Sequence, residues 1–162
     1  MTVTLNSAGG ASVPNWQLVA SASPTGVKTQ TFSSLTGYSK YRILIPNMII
    51  SAGIDFLYLQ FNGDVGANYS EQNSNGSSAS QTYLNLFTGL MNNTTASSFT
   101  IDIENALIAA PKYVTGVGQQ PSAAITQSSA GWYNSTSAIT SITLGVITNN
   151  FSSGTIYILG AN

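Results

Sequence analysis

This chain has 162 residues, no Cys and no His, and 6% of its residues are charged, against ~25% in an ordinary soluble domain. Four Lys+Arg against five Asp+Glu leave a net charge of -1. That excludes the usual electrostatic route to nucleic acid, by neutralising phosphates, and disfavours binding to anionic membranes. The missing thiols and imidazoles exclude a disulfide framework, Cys-based zinc and His-dependent nucleophilic catalysis.

The first fifteen residues are small and polar, with Gly9-Gly10 and Pro14, and have no period. They read as an N-terminal arm that a neighbouring subunit ties down through Val3, Leu5 and Val13. MTVTLNSAGG lacks a basic n-region and an apolar h-region, so synthesis in the cytoplasm is expected. The longest apolar stretches, residues 43–50 and Ile54–Phe61, are shorter than the ~20 residues that span a bilayer, and no membrane insertion is expected.

From Trp16 onward the strand signals follow one another. Residues 16–22 are an apolar-led run closed by Ser23-Pro24-Thr25-Gly26, a turn sequence. Thr29–Phe32 is a second short strand. In residues 38–48, Tyr41, Ile43 and Ile45 alternate with Lys40, Arg42 and Leu44, the period of a half-buried strand. Pro46 should end that strand or mark an edge. Ile54–Phe61 is the strongest strand, with Leu57, Leu59 and Phe61 on one side and Phe56, Tyr58 and Gln60 on the other. Asn62-Gly63-Asp64 then turns the chain into a loop over residues 65–80, rich in Ser, Asn and Gly, with Tyr69 as its anchor.

Residues 83–87 and 98–103 read as strands joined by a polar connection over 88–95. Residues 103–110 contain helix formers in a stretch too short for a helix. Residues 112–117 and 123–127 are strands around Gly118 and Pro121, and 138–146 and 154–159 form a last pair across a turn at 148–153. About ten short strands and no convincing helix predict an all-β, antiparallel sandwich, jelly-roll-like. It occupies residues 16–162 as one domain behind the arm 1–15. A net charge this near zero does little to hold copies apart, so association is expected.

Few side chains suggest chemistry. Asp64 beside Asn62 and Gly63 gathers oxygen ligands suited to Ca²⁺, but the pattern lacks EF-hand spacing and reads better as a turn bonded by its own Asx side chains. Asp102 and Glu104 at i, i+2 place two carboxyls ~7 Å apart, a glycosidase-like separation. They also alternate with Phe99, Ile101 and Ile103, as an ordinary solvent face does. Composition permits a Ser–Lys dyad with Lys28, Lys40 or Lys112, and no surrounding motif supports one. Metal and catalytic sites are therefore not expected.

Tyr69, Tyr83, Trp132 and Tyr133 lie in or beside polar segments. Aromatic faces near Asn, Gln and Ser suit sugar rings, and they serve equally as core plugs or interface anchors. Trp132, beside Gly131, reads as core or interface, and Tyr133 as the exposed member of the pair. Tyr69, Tyr83 and Tyr133 are the candidate glycan or partner contacts.

Several segments recur in a set order: Phe32-Ser33-Ser34-Leu35 with Tyr38 and Tyr41, then Phe61-Asn62-Gly63-Asp64 with Ala67-Asn68-Tyr69. Gly131-Trp132, Ala138-Ile139-Thr140-Ser141-Ile142, and Asn150-Phe151 with Gly154-Thr155 follow. In this order the chain resembles, from about Trp16 to its C-terminus, a domain found in virion proteins of tailed bacteriophages. The ending Ile156-Tyr157-Ile158-Leu159-Gly160-Ala161-Asn162 departs from the short aromatic-Gly-Ile strand common in that group.

The resemblance implies an all-β module of tail fibres, tail tips or capsid-attached proteins, without catalytic residues or cofactor. The resulting expectation is a non-enzymatic structural protein on the exterior of a virion, made in the host cytoplasm. It would be a homo-oligomer, with a trimer favoured, bound to other capsid or tail proteins as a decoration, cement or fibre component. The alternative is a receptor-binding module whose loops 65–80 and 118–134 hold a bacterial surface glycan.

Overall fold

Alternating burial runs through most strands of the computed structural model, which describes residues 15–120 and 123–162. The expected arm contacts Val3, Leu5 and Val13 lie outside the described residues, as does Pro121. Among the described residues thirteen strands follow one another. They are β1 (Gln17–Ala22), β2 (Thr29–Phe32), β3 (Lys40–Ile50), β4 (Ile54–Phe61), β5 (Tyr69–Asn73), β6 (Gly76–Gln81) and β7 (Leu84–Asn92). Then come β8 (Ser97–Glu104), β9 (Lys112–Gln120), β10 (Ile125–Tyr133), β11 (Ile142–Val146), β12 (Phe151–Ser153) and β13 (Ile156–Ala161).

The strands form two antiparallel sheets, and the expected all-β sandwich is the observed fold. The large sheet runs β1-β13-β3-β8-β9-β10-β5-β6, with β12 also paired to β3, and the small sheet runs β2-β11-β4-β7. Stripped to β1-β13-β3-β8 against β2-β11-β4-β7, this is the strand order of a jelly roll, two Greek keys folded over one core. Two hairpins are insertions into that frame. β5–β6 falls between β4 and β7 in sequence, β9–β10 falls between β8 and β11, and both widen the large sheet beyond β8.

The core lies between the sheets. Tyr41, Ile43 and Ile45 of β3 and Ile101 and Ile103 of β8 are buried, as are Leu57, Leu59 and Phe61 of β4 and Leu144 of β11. Burying each such side chain contributes ~1.5–3 kcal/mol, and the phase of these residues fixes which face of each strand looks inward.

Several elements differ from the sequence reading. β3 does not stop at Pro46. Its register with β8 shifts between Ile45 and Met48, and Asn47 takes a φ of 55°. Such a bulge tolerates a residue with no N–H. The loop expected over 65–80 holds the β5–β6 hairpin, turned at Ser74-Asn75, where Asn73 Oδ1 accepts from the Asn75 N–H at 2.9 Å. β7 runs on to Asn92 through a bulge at Gly89, whose φ of 68° is open to glycine. The short β12 lies inside the turn expected at 148–153.

β7 ends the small sheet, and side chains of the large sheet close its open edge. Glu71 accepts from the Asn85 N–H, and Asn73 Nδ2 donates to the Asn85 carbonyl at 2.7 Å. The Gln127 amide accepts from the Thr88 N–H at 3.1 Å and donates to the Thr88 carbonyl at 2.9 Å. It thereby stands in for a peptide group of a neighbouring strand. Gln127→Leu, which keeps the bulk and removes both partners, is expected to lower stability by about 1–2 kcal/mol. Urea unfolding measures this, and a loss under ~0.5 kcal/mol would show that water satisfies Thr88 equally well.

Candidate functional site

The outer face of the large sheet carries the side chains that alternate with the core. Register places them in rows: Tyr157, Leu44, Thr100, Val117 and Ser128, then Leu159, Arg42, Asp102, Thr115, Ala130 and Gln72. In a third row, Glu104 stands beside Tyr113, Tyr113 beside Trp132, and Trp132 beside Ser70.

Charge on this face cancels locally. Arg42 holds Asp102 through Nε–Oδ1 at 2.6 Å and Nη2–Oδ2 at 3.0 Å, and Lys40 pairs with Glu104 at 2.9 Å. The hydrogen bond to Asp102 raises the Arg42 pKa further. The guanidinium also lies 4.7 Å from the Trp16 ring centroid. Asp102 and Glu104 therefore belong to cross-strand ion pairs of a solvent face.

Two regions of the face differ in chemistry. On the β1–β13–β3 side Leu18, 61% exposed, opposes Leu159, and Tyr157 opposes Leu44. Beside them lies a hollow of about 290 Å³ lined by Leu44, Ile45, Pro46, Ser98, Phe99, Thr100 and Tyr157. On the β9–β10 side Tyr113 and Trp132, 54% and 46% exposed, are direct cross-strand neighbours.

Next to that aromatic pair the sheet opens. β10 pairs with β9 along its whole length, but with β5 only from Ala130 to Tyr133. The β5–β6 hairpin leans towards β7 instead, held by Asn73 on Asn85 and by a 2.7 Å bond between the Ser74 and Thr88 hydroxyls. The result is a slot of about 540 Å³ between Gln72, Asn73 and Ser74 on one wall and residues 126–130 on the other. No side chain in its lining is charged. The Ser129 hydroxyl, on the β10 wall, is buried without a hydrogen-bond partner among the described residues.

The structure corrects the expected aromatic contacts. Tyr69 and Tyr133 are buried, stacked at 4.8 Å and 19°, with Phe61 5.4 Å from Tyr133. Trp132, read as core or interface, is the exposed member of the Trp132–Tyr133 pair. Neighbours in a strand must face opposite ways, and the phase is set by Gly131, whose missing Cβ leaves room for Leu84 and the Ser70 carbonyl on the inner side. Tyr83 is half-buried against Tyr58 at 5.0 Å on the small sheet, away from the slot. The segments 65–80 and 118–134 do come together, as the two inserted hairpins that wall the slot. Gln72, Ser128 and Tyr113 were missed because a neutral polar residue in a strand gives no sequence signal of its own.

The remaining candidates are structural. Asp64 accepts from the Gly66 N–H at 2.7 Å, Asn68 Nδ2 at 2.9 Å and the Tyr133 hydroxyl at 2.9 Å. The Gly66 and Asn68 bonds lead in holding its pKa below the usual range, against a smaller rise from burial, and the carboxylate locks the turn. Among the described residues no three His, Cys, Asp or Glu side chains gather as metal ligands. Lys28 donates to the Ile147 carbonyl, and Lys112, buried, donates to the Ile108 and Ala110 carbonyls at 2.7 Å each. Among the described residues none of the three lysines hydrogen-bonds a serine, and burial lowers the pKa of Lys112.

No protein-family model matches this sequence, and no curated protein matches it.

Proposed function

We propose that this chain is a non-enzymatic structural module on the exterior of a bacteriophage particle, a homo-oligomer that acts through protein–protein contacts. The observation that carries the reading is the apolar strip Leu18–Leu159 and Tyr157–Leu44, with the hollow at Pro46, on the outer face of the jelly-roll strands. Two copies meeting there bury apolar side chains. The neighbouring charges are already paired with each other, so little uncompensated charge is desolvated. The ordered resemblance to virion domains supports the setting and a three-fold assembly.

Light scattering of the full chain at micromolar concentration is expected to give a trimer, and Leu18→Asp with Leu44→Asp is expected to give monomers of unchanged circular dichroism. A monomeric wild-type chain would overturn the assembly reading. An antibody against the folded protein is expected to label intact particles, and labelling only after disruption would overturn the exterior placement.

A second reading, a receptor-binding module for a bacterial surface glycan, is favoured by the neutral slot between the inserted hairpins. β3 and β10 lie three strand spacings apart, about 14 Å, so assembly at the strip leaves the slot open.

A further inference from the structure

We infer that the slot and the Tyr113–Trp132 pair form one site for an uncharged oligosaccharide laid along β10; this rests on the receptor-binding reading above. Trp132, Ala130, Ser128 and Thr126 share the outer face of β10 at successive i, i+2 positions. At ~3.3 Å per residue they span about 20 Å, the footprint of an oligosaccharide rather than of one sugar. At one end the exposed Trp132 and Tyr113 offer ring faces to the C–H face of a pyranose. At the other end the slot supplies the Gln72 amide and the Thr126 and Ser128 hydroxyls, which both donate and accept, as sugar hydroxyls do. Its volume of about 540 Å³ is within the ~300–1,000 Å³ range of ligand sites.

A further observation points to a ligand. Among the described residues, the side of β10 facing β5 has no strand partner over residues 125–129, although the same residues pair with β9 on the other side. Both walls come from the hairpins β5–β6 and β9–β10 that are inserted into the eight-stranded frame. Insertions carried on a rigid scaffold are where binding residues concentrate.

Charge decides the class of glycan. The chain has four Lys and Arg, and each is engaged: Lys28 and Lys112 on backbone carbonyls, Lys40 on Glu104 and Arg42 on Asp102. None of the four lines the slot, so an acidic sugar bound there has no lysine or arginine to offset its desolvation. A peptide strand added to β10 would use the open backbone but not the Tyr113–Trp132 pair.

The test is an array of neutral and acidic oligosaccharides probed with the full-length protein, followed by calorimetric titration of the best neutral hit. Trp132→Ala and Ala130→Arg, both on the exposed face, are each expected to weaken that hit at least tenfold. Circular dichroism and oligomeric state should not change, and Thr31→Ala on the other sheet should bind as wild type. A neutral glycan bound equally by all variants would overturn this site while leaving the receptor-binding reading in place. Preference for acidic over neutral glycans would overturn the proposal. An array blank throughout, as a slot for a peptide strand would give, overturns both site and reading.

Discussion

Asp55→Ala is expected to destabilise the protein by about 3–5 kcal/mol, from the loss of charge-assisted hydrogen bonds and the orphaning of buried donors. Asp55 is 1% exposed and sits near the start of β4. Its Oδ1 accepts from the N–H groups of Phe56 at 2.8 Å and Ile147 at 3.1 Å. Its Oδ2 accepts from the N–H groups of Thr148 at 2.9 Å and Asn149 at 2.7 Å, and from Asn149 Nδ2 at 3.1 Å. One carboxylate therefore closes the turn from β11 to β12. Burial pushes its pKa up, and the bonds from Asn149, Phe56, Thr148 and Ile147 together outweigh burial and hold it below the usual value.

The pH dependence follows from that direction. With the folded pKa below the unfolded one, the Asp55 contribution is complete above the unfolded value of ~3.9 and is lost as pH falls through the folded value. Glu71 acts in the opposite sense. Burial raises its pKa against the bond from Asn85, so ionising it costs stability as pH rises past the unfolded value of ~4.3. Asp55→Asn should thus flatten the acid limb of the stability curve while lowering the neutral plateau. Urea unfolding at pH 7 and pH 3 measures both. A plateau loss under ~1 kcal/mol would mean that water satisfies the 147–149 turn without the carboxylate.

That role was not visible in the sequence, where Asp55 is one acidic residue in an apolar strand. Strands that bury one or both faces were legible. Thr29–Phe32 and Ile54–Phe61 fall at the bounds read from alternation, because their inward residues are apolar and side-chain phase is rigidly two. β6, Gly76–Gln81, is exposed along nearly its whole length. With no apolar residue larger than alanine it could be found only through the Ser74-Asn75 turn and its pairing with β5. β12 is three residues long and owes its assignment to pairing with Ile49 and Ile50 of β3.

The candidate site divides in the same way. The segments that wall the slot could be named from loop composition, since both are rich in uncharged polar residues. The side chains that face it could not, because facing depends on strand phase, and in β10 glycine rather than a large apolar residue sets that phase. Tyr133 and Trp132 exchanged expected roles for this reason. Asp64 was legible as a turn residue, but its bond to the Tyr133 hydroxyl spans 69 positions, a contact that only the packed hairpins create.

Gly118→Val is expected to cost about 3 kcal/mol or more, at the upper end of overpacking penalties, although valine favours strands over glycine. Gly116 and Gly118 are inward positions of β9. A Cβ at Gly118 would lie 2.8 Å from Phe87 Cδ1, 2.8 Å from Leu90 Cδ1 and 2.9 Å from Phe99 Cδ1. At Gly116 it would lie 2.7 Å from Phe87 Cζ. The Phe87 ring therefore lies across both glycines, tilted at 42° to Phe99 with centroids 4.9 Å apart. These neighbours are buried and cannot swing into solvent as a surface side chain does. The two glycines let β7 settle onto the inserted part of the large sheet, so the strand that ends the small sheet also anchors the hairpin that walls the slot. Phe87→Leu in the Gly118→Val background should recover part of the loss, with a coupling of about 1–3 kcal/mol in a double-mutant cycle read by urea unfolding. A cycle that closes additively within ~0.5 kcal/mol would show that β9 shifts outward to admit the valine, and that the ring does not need the glycines.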